Sequence, residues 1–147
     1  DLMLSALTFE EGQKCLRECF RVLRPGGTLR ISTPSLDRII GLYGTTLNGP
    51  ARRYLDWSIA SFCPEADEPL PGFVLNHFMY AWNHRFVYDA RTLDYALRRA
   101  GFADIAERDV GFSDEADLVG IERHGSLLGE EHNAFESIVL EARRPER

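Results

Sequence analysis

The sequence predicts an α/β layered fold, and three observations carry that expectation. A capped amphipathic helix runs into Pro25-Gly26-Gly27 and then into an alternating stretch at residues 28–33. A second capped helix closes on Gly101 and leads into a strand-like stretch at 103–110. A third strand-like run, dense in β-branched and apolar residues, occupies 135–143. Strands fed by helical crossovers are the pattern of a layered α/β domain.

Each element has its own signal. Thr8 and Glu11 have the spacing of a capping box, with Thr at the N-cap and Glu three residues later. Leu16, Cys19, Phe20 and Leu23 then recur at helical spacing and form an apolar face, opposite Arg17, Glu18, Arg21 and Arg24. Pro25 cannot continue this helix, and Gly26-Gly27 supply its C-terminal cap. Leu29, Ile31 and Thr33 alternate with Thr28, Arg30 and Ser32 up to Pro34, which ends the strand.

Ser35 caps a short helix to about Leu42, and 44–49 is a loop. Pro50 opens the next helix, whose expected buried stripe is Leu55, Ile59 and Phe62. Residues 63–72 hold three prolines and three acids and are expected to form a mobile loop. Asp89 caps a helix with the face Leu93, Ala96, Leu97 and Ala100, and Gly101 ends it. No long helix separates the last two strands, so they are expected to pair antiparallel, joined by an irregular 111–134 segment.

With 147 residues and no repeat or low-complexity tract, the chain is expected to be one domain spanning 1–147. Its net charge of −6 disfavours a nucleic-acid partner. No run of about 20 apolar residues is present, so no transmembrane helix and no membrane partner are expected. Cys15, Cys19 and Cys63 are too few for a disulfide framework, which fits a cytoplasmic protein. The chain opens on Asp1 with no secretion leader, the expected mark of a trimmed or truncated start.

Three pieces, "LRECFRVLRPGGTLRISTPSL" at 16–36, "RFVYDARTLDYALRRAGFADI" at 85–105 and "FESIVLEARRP" at 135–145, occur in this order. Together they resemble the C-terminal half of the class I S-adenosylmethionine-dependent methyltransferase family. The resemblance covers nearly the whole chain. It implies a partial Rossmann-like sheet made of the family's fifth to seventh strands, the last one antiparallel. The fifth strand would lie beside the seventh, and its other edge would be open because the fourth strand is missing. In that family the cofactor sits at a glycine-rich turn after the first strand, and an acidic residue after the second strand holds its ribose. This chain has neither. Many relatives also carry a His-x-x-Glu-His pattern before the capping box, where this chain has Leu2, Ser5 and Ala6. The resemblance thus implies S-adenosylmethionine as the cofactor of an intact parent, and no cofactor bound by this truncated domain.

The richest polar constellation is Asn76-His77, then Trp82-Asn83-His84-Arg85, then Tyr88-Asp89. In the family the segment after the fifth strand helps to build the acceptor pocket. His77, Trp82, His84, Arg85 and Tyr88 are therefore the candidate substrate-binding residues. A histidine titrates near neutrality and suits a general base, and an arginine suits an anionic group. If 74–82 is helical, His77 and Ala81 share a face and Trp82 lies near Phe78. A second reading stays open, in which His84 and Arg85 bond backbone and the aromatic residues are core. His124 and His132 are expected at the surface, and Glu130-Glu131 as a solvated pair. Cys15 and Cys19 share a helix face, but a metal site is not expected.

Two functions follow as expectations. The first is the C-terminal portion of a methyltransferase acting on a small-molecule acceptor, inactive as this chain alone. The alternative is a non-catalytic interaction module, or one half of a split enzyme, that associates through its open sheet edge. Either way a homodimer or higher homo-oligomer is expected.

Overall fold

The computed structural model describes residues 4–44 and 46–146. It is a mixed α/β structure with a small three-stranded sheet. Helix α1 spans Phe9–Val22 and begins with the expected capping box. The Glu11 amide donates to Thr8 Oγ1 at 3.2 Å, and the Thr8 amide donates to Glu11 Oε2 at 2.8 Å. The glycines do not cap this helix as expected, because it ends before Arg24. Instead the Gly27 amide bonds Arg24 O at 2.9 Å and Gly26 has φ +77°. Pro25 and Gly26 thus occupy the central positions of a β-turn that needs a left-handed third residue.

Strand β1, Thr28–Pro34, follows that turn. Helix α2, Leu36–Ile40, is capped by Ser35, and one 3₁₀ turn, Gly41–Tyr43, extends it. Then come α3, Gly49–Phe62, capped by Asn48, and α4, Pro71–Tyr80. Helix α5, Ala90–Ala100, leads to β2, Ala103–Arg108. The 111–134 segment is more ordered than its sequence implied. It holds a 3₁₀ turn at Ala116–Leu118, helix α6, Gly125–Leu128, and the start of α7, Glu130–Glu136. Helix α7 runs directly into β3, Ser137–Arg143, so the last strand starts two residues later than expected.

The strand order is β1-β3-β2, with β3 antiparallel to both neighbours. Thr28 faces Arg143 and Pro34 faces Ser137 across the first pair. Alternation gives the sheet two unlike faces. On one, Leu29, Ile31, Ile138, Leu140 and Ala142 pack with Leu16 of α1 and with Leu93, Ala96, Leu97 and Ala100 of α5. On the other lies a polar cluster. The Arg30 side chain is 1% exposed and donates to Glu122, to Glu141 Oε1 at 2.7 Å and to Asp109 O at 3.2 Å. Arg108 and Ser113 also donate to Glu141.

A second apolar cluster lies beyond the end of β1, made by Ile39, Leu42, Ala51, Tyr54, Leu55, Val74, Phe78 and Val87. The fully buried residues of α3 are Ala51, Tyr54, Leu55 and Ser58; of the expected stripe, Leu55 is buried, Ile59 packs half-buried on this cluster and Phe62 lines the cavity. Tyr54 and Ser58 turn inward because their polar ends meet a cavity. Among the described residues no helix is long and apolar enough to cross a membrane.

Candidate functional site

A cavity of about 350 Å³ opens beside the second cluster. That volume is at the small end of the range for small-molecule sites, roughly 300–1,000 Å³. Helix α3 contributes Tyr54, Trp57, Ser58 and Phe62, and α4 contributes Val74, His77 and Phe78. Trp82 and His84 follow on either side of Asn83, whose φ of +56° turns the chain back. Asparagine tolerates that left-handed conformation better than most residues. His124, Leu127, Leu128 and Glu136 close the opposite wall. Trp82 and Leu127 are 51% and 79% exposed, which places them at the mouth.

The walls are mainly aromatic. His77 stacks on Phe62 with ring centres 5.0 Å apart, and Trp82 meets both rings edge-on at 5.4 Å. Trp82 therefore packs on Phe62 and His77 and not on Phe78, because α4 ends at Tyr80 and the chain turns before Trp82. Trp57 is stacked on His132 at 4.2 Å.

Three polar groups define the chemistry. Tyr54 donates its hydroxyl to Glu136 Oε2 at 2.6 Å. Burial, and then the neighbouring carboxylate, push the Tyr54 hydroxyl far above the usual tyrosine range, so it remains a donor. Glu136 Oε1 has His124 Nε2 at 3.6 Å, too long for a hydrogen bond. His84 Nδ1 lies 2.6 Å from Phe78 O. A carbonyl only accepts, so Nδ1 carries the hydrogen. Burial holds the His84 pKa below its ordinary value, so the ring is neutral and Nε2 is a bare acceptor. That atom is buried and has no hydrogen-bond partner among the described residues, and the same holds for His77 Nε2.

Of the five residues singled out in the sequence, the structure brings together His77, Trp82 and His84. Arg85 and Tyr88 do not join them. The Arg85 guanidinium is held on the surface by Glu11 at 2.7 Å, the carboxylate of the capping box. Tyr88 is fully buried in the other core, against Phe9 and Phe86. His124 is not a surface residue as expected. Its side chain is 17% exposed and lines the cavity, while His132 is half-buried on Trp57. Tyr54, Trp57, Phe62 and Glu136 were not foreseen. For the three on α3 the available signal was helical spacing, which puts Tyr54, Trp57, Ser58 and Phe62 on one side.

Leu2 lies outside the described residues. Ser5 is buried, and its carbonyl accepts from the Arg85 and Phe86 amides at 2.8 and 3.3 Å. Among the described residues no three metal-ligating side chains come together. Strand β1 passes through Pro34 and Ser35 straight into α2. Compared with models of known families, with curated proteins and with solved structures, the chain gives no match.

Proposed function

We propose that this chain is the acceptor-binding portion of a methyltransferase-like α/β domain. It holds a small molecule and lacks the floor on which S-adenosylmethionine would rest. One observation carries the reading: most of the cavity is built by the segment that follows β1, the place where the family resemblance puts the acceptor pocket. The antiparallel β3 beside β1 supports it, since the resemblance implies that arrangement for the fifth and seventh strands. A cytoplasmic setting would suit the free thiols of Cys15, Cys19 and Cys63. The test reads the coding DNA upstream of Asp1 and titrates S-adenosylhomocysteine into the purified chain. An in-frame strand, glycine-rich turn and helix upstream, with no binding by this chain, is the expected result. An in-frame stop codon followed by a nearby start codon overturns the reading. Micromolar binding overturns the claim that the cofactor floor is missing.

A second reading is favoured by the edge of β1. Among the described residues no strand pairs with its outer side. Open edges recruit strands, so association of two copies through β1 would complete the sheet. Sedimentation at micromolar concentration should then give about twice the 16.7 kDa chain mass. A monomer at that concentration overturns this second reading.

A further inference from the structure

We infer that the cavity selects an organic ammonium ion with an apolar body, and that Glu136 is the group that selects it. The inference deepens the acceptor reading and rests on it only for calling this ligand an acceptor; the recognition itself rests on the cavity. Among the lining residues there is one carboxylate, Glu136, and no lysine or arginine. Its Oε2 is committed to the Tyr54 hydroxyl, while Oε1 makes no hydrogen bond and has His124 Nε2 at 3.6 Å. His84 Nε2, a buried lone pair, likewise calls for a donor from the occupant. An anionic ligand would meet a carboxylate, with no lysine or arginine in the lining to balance it. A neutral apolar ligand would give neither acceptor a donor, and leaving the buried His84 Nε2 bare is costly. An ammonium supplies N–H donors to both and a charge to Glu136. Around it, Tyr54, Trp57, Phe62 and Trp82 offer aromatic faces and edges, the surroundings that favour organic cations. The walls of Val74, Leu127 and Leu128 accommodate the apolar body.

The experiment compares three probes of one shape: 2-phenylethylammonium, 2-phenylethanol and phenylacetate. The chain has two tryptophans, Trp57 and Trp82, and both line the cavity, so intrinsic fluorescence reports occupancy directly, with calorimetry as a check. The ammonium should bind about tenfold or more tightly than the alcohol, and phenylacetate more weakly than either. In Glu136→Gln, which keeps an acceptor for Tyr54, the ammonium should lose its preference over the alcohol. Trp82→Leu, at the exposed mouth and outside the core, should narrow the same preference and guards against a folding defect in the first variant. Equal or tighter binding of phenylacetate or the alcohol overturns the inference. So does failure of the ammonium to bind at millimolar concentration, or an unchanged preference in folded Glu136→Gln. No methyl transfer is measured, so failure here leaves the methyltransferase reading standing, and failure of that reading leaves this one testable.

Discussion

Replacing Arg30 with Met would remove one charge from the polar face of the sheet, strand Glu122 and take one of two cations from Glu141. The Arg30 side chain is 1% exposed, Glu122 is 3% and Glu141 is 7%. Removing one partner of a buried ion pair typically costs about 3–5 kcal/mol, because the remaining charge is neither solvated nor paired. Glu141 keeps Arg108 and Ser113, and Glu122 keeps the Gly111 amide, so the loss should fall at the lower end, about 3 kcal/mol. Against a total of about 5–15 kcal/mol this is large. With a urea slope of about 2 kcal/mol per molar, the unfolding midpoint should drop by about 1.5 M. Circular dichroism during urea titration measures it. Arg98→Ala, which breaks the exposed pair with Asp94, should leave the midpoint in place.

The double variant Arg30→Met/Glu122→Gln should recover part of the loss, since one stranded charge is gone. Acid gives a further check. Burial alone would raise the pKa values of Glu122 and Glu141, but the hydrogen bonds from Arg30, Ser113, Arg108 and the Gly111 amide bring both below the ordinary carboxylate value. Their contribution is therefore present above that ordinary value and is lost as pH falls through the lowered folded values. The gap between wild type and Arg30→Met should be widest near neutrality and should narrow in acid. A midpoint shift no larger than that of Arg98→Ala, or a gap that widens in acid, would refute the reasoning.

Three further predictions concern α5. Asp89→Ala should cost about 1 kcal/mol, a melting-point drop of about 2–4 °C, because the side chain accepts from the Thr92 amide at 2.6 Å. That bond, chiefly, lowers the Asp89 pKa, so its stabilisation is present above the ordinary carboxylate value and fades as pH falls through the lowered one. Gly101→Val should destabilise by about 1–2 kcal/mol in calorimetry, since φ is +107° and a Cβ would stand 3.1 Å from the Phe20 ring. Leu97→Ala, at a fully buried position, should lower the urea-derived stability by about 2–5 kcal/mol.

The sequence made α5 legible because everything that defines it is local. Asp89, the spacing of Leu93, Ala96, Leu97 and Ala100, and Gly101 all lie within one helix and its ends. Strand β1 and the capping box of α1 were legible for the same reason. In helix α3 the apolar spacing points to Leu55, which is buried, but not to Tyr54 and Ser58, whose polar atoms hide an inward position that only the cavity explains. Helices α6 and α7 are four and seven residues long, too short to be stable on their own propensity, so only packing shows them. Glu136 had no local signal at all, since its partner Tyr54 is 82 positions away. Arg85 misled for the converse reason. A guanidinium beside a histidine suggests an anion site, but the Glu11 carboxylate already occupies it.

The position of the cavity follows from the register of β1 and β3. Antiparallel pairing sets Pro34, the last residue of β1, opposite Ser137, the first of β3, and the Ser35 amide bonds Glu136 O at 2.6 Å. Helix α7 therefore ends where α2 begins, and its last side chain, Glu136, reaches the Tyr54 hydroxyl on α3. A slip of one residue in this pairing would turn the side chains of β3 to the opposite faces. Glu141 would leave Arg30, and Leu140 would leave the α1–α5 core. The same slip would carry Glu136 away from Tyr54. The ion cluster on the polar face and the carboxylate of the cavity thus depend on one register. Disturbing Arg30 should, on this logic, weaken ammonium binding at a site to which Arg30 makes no contact.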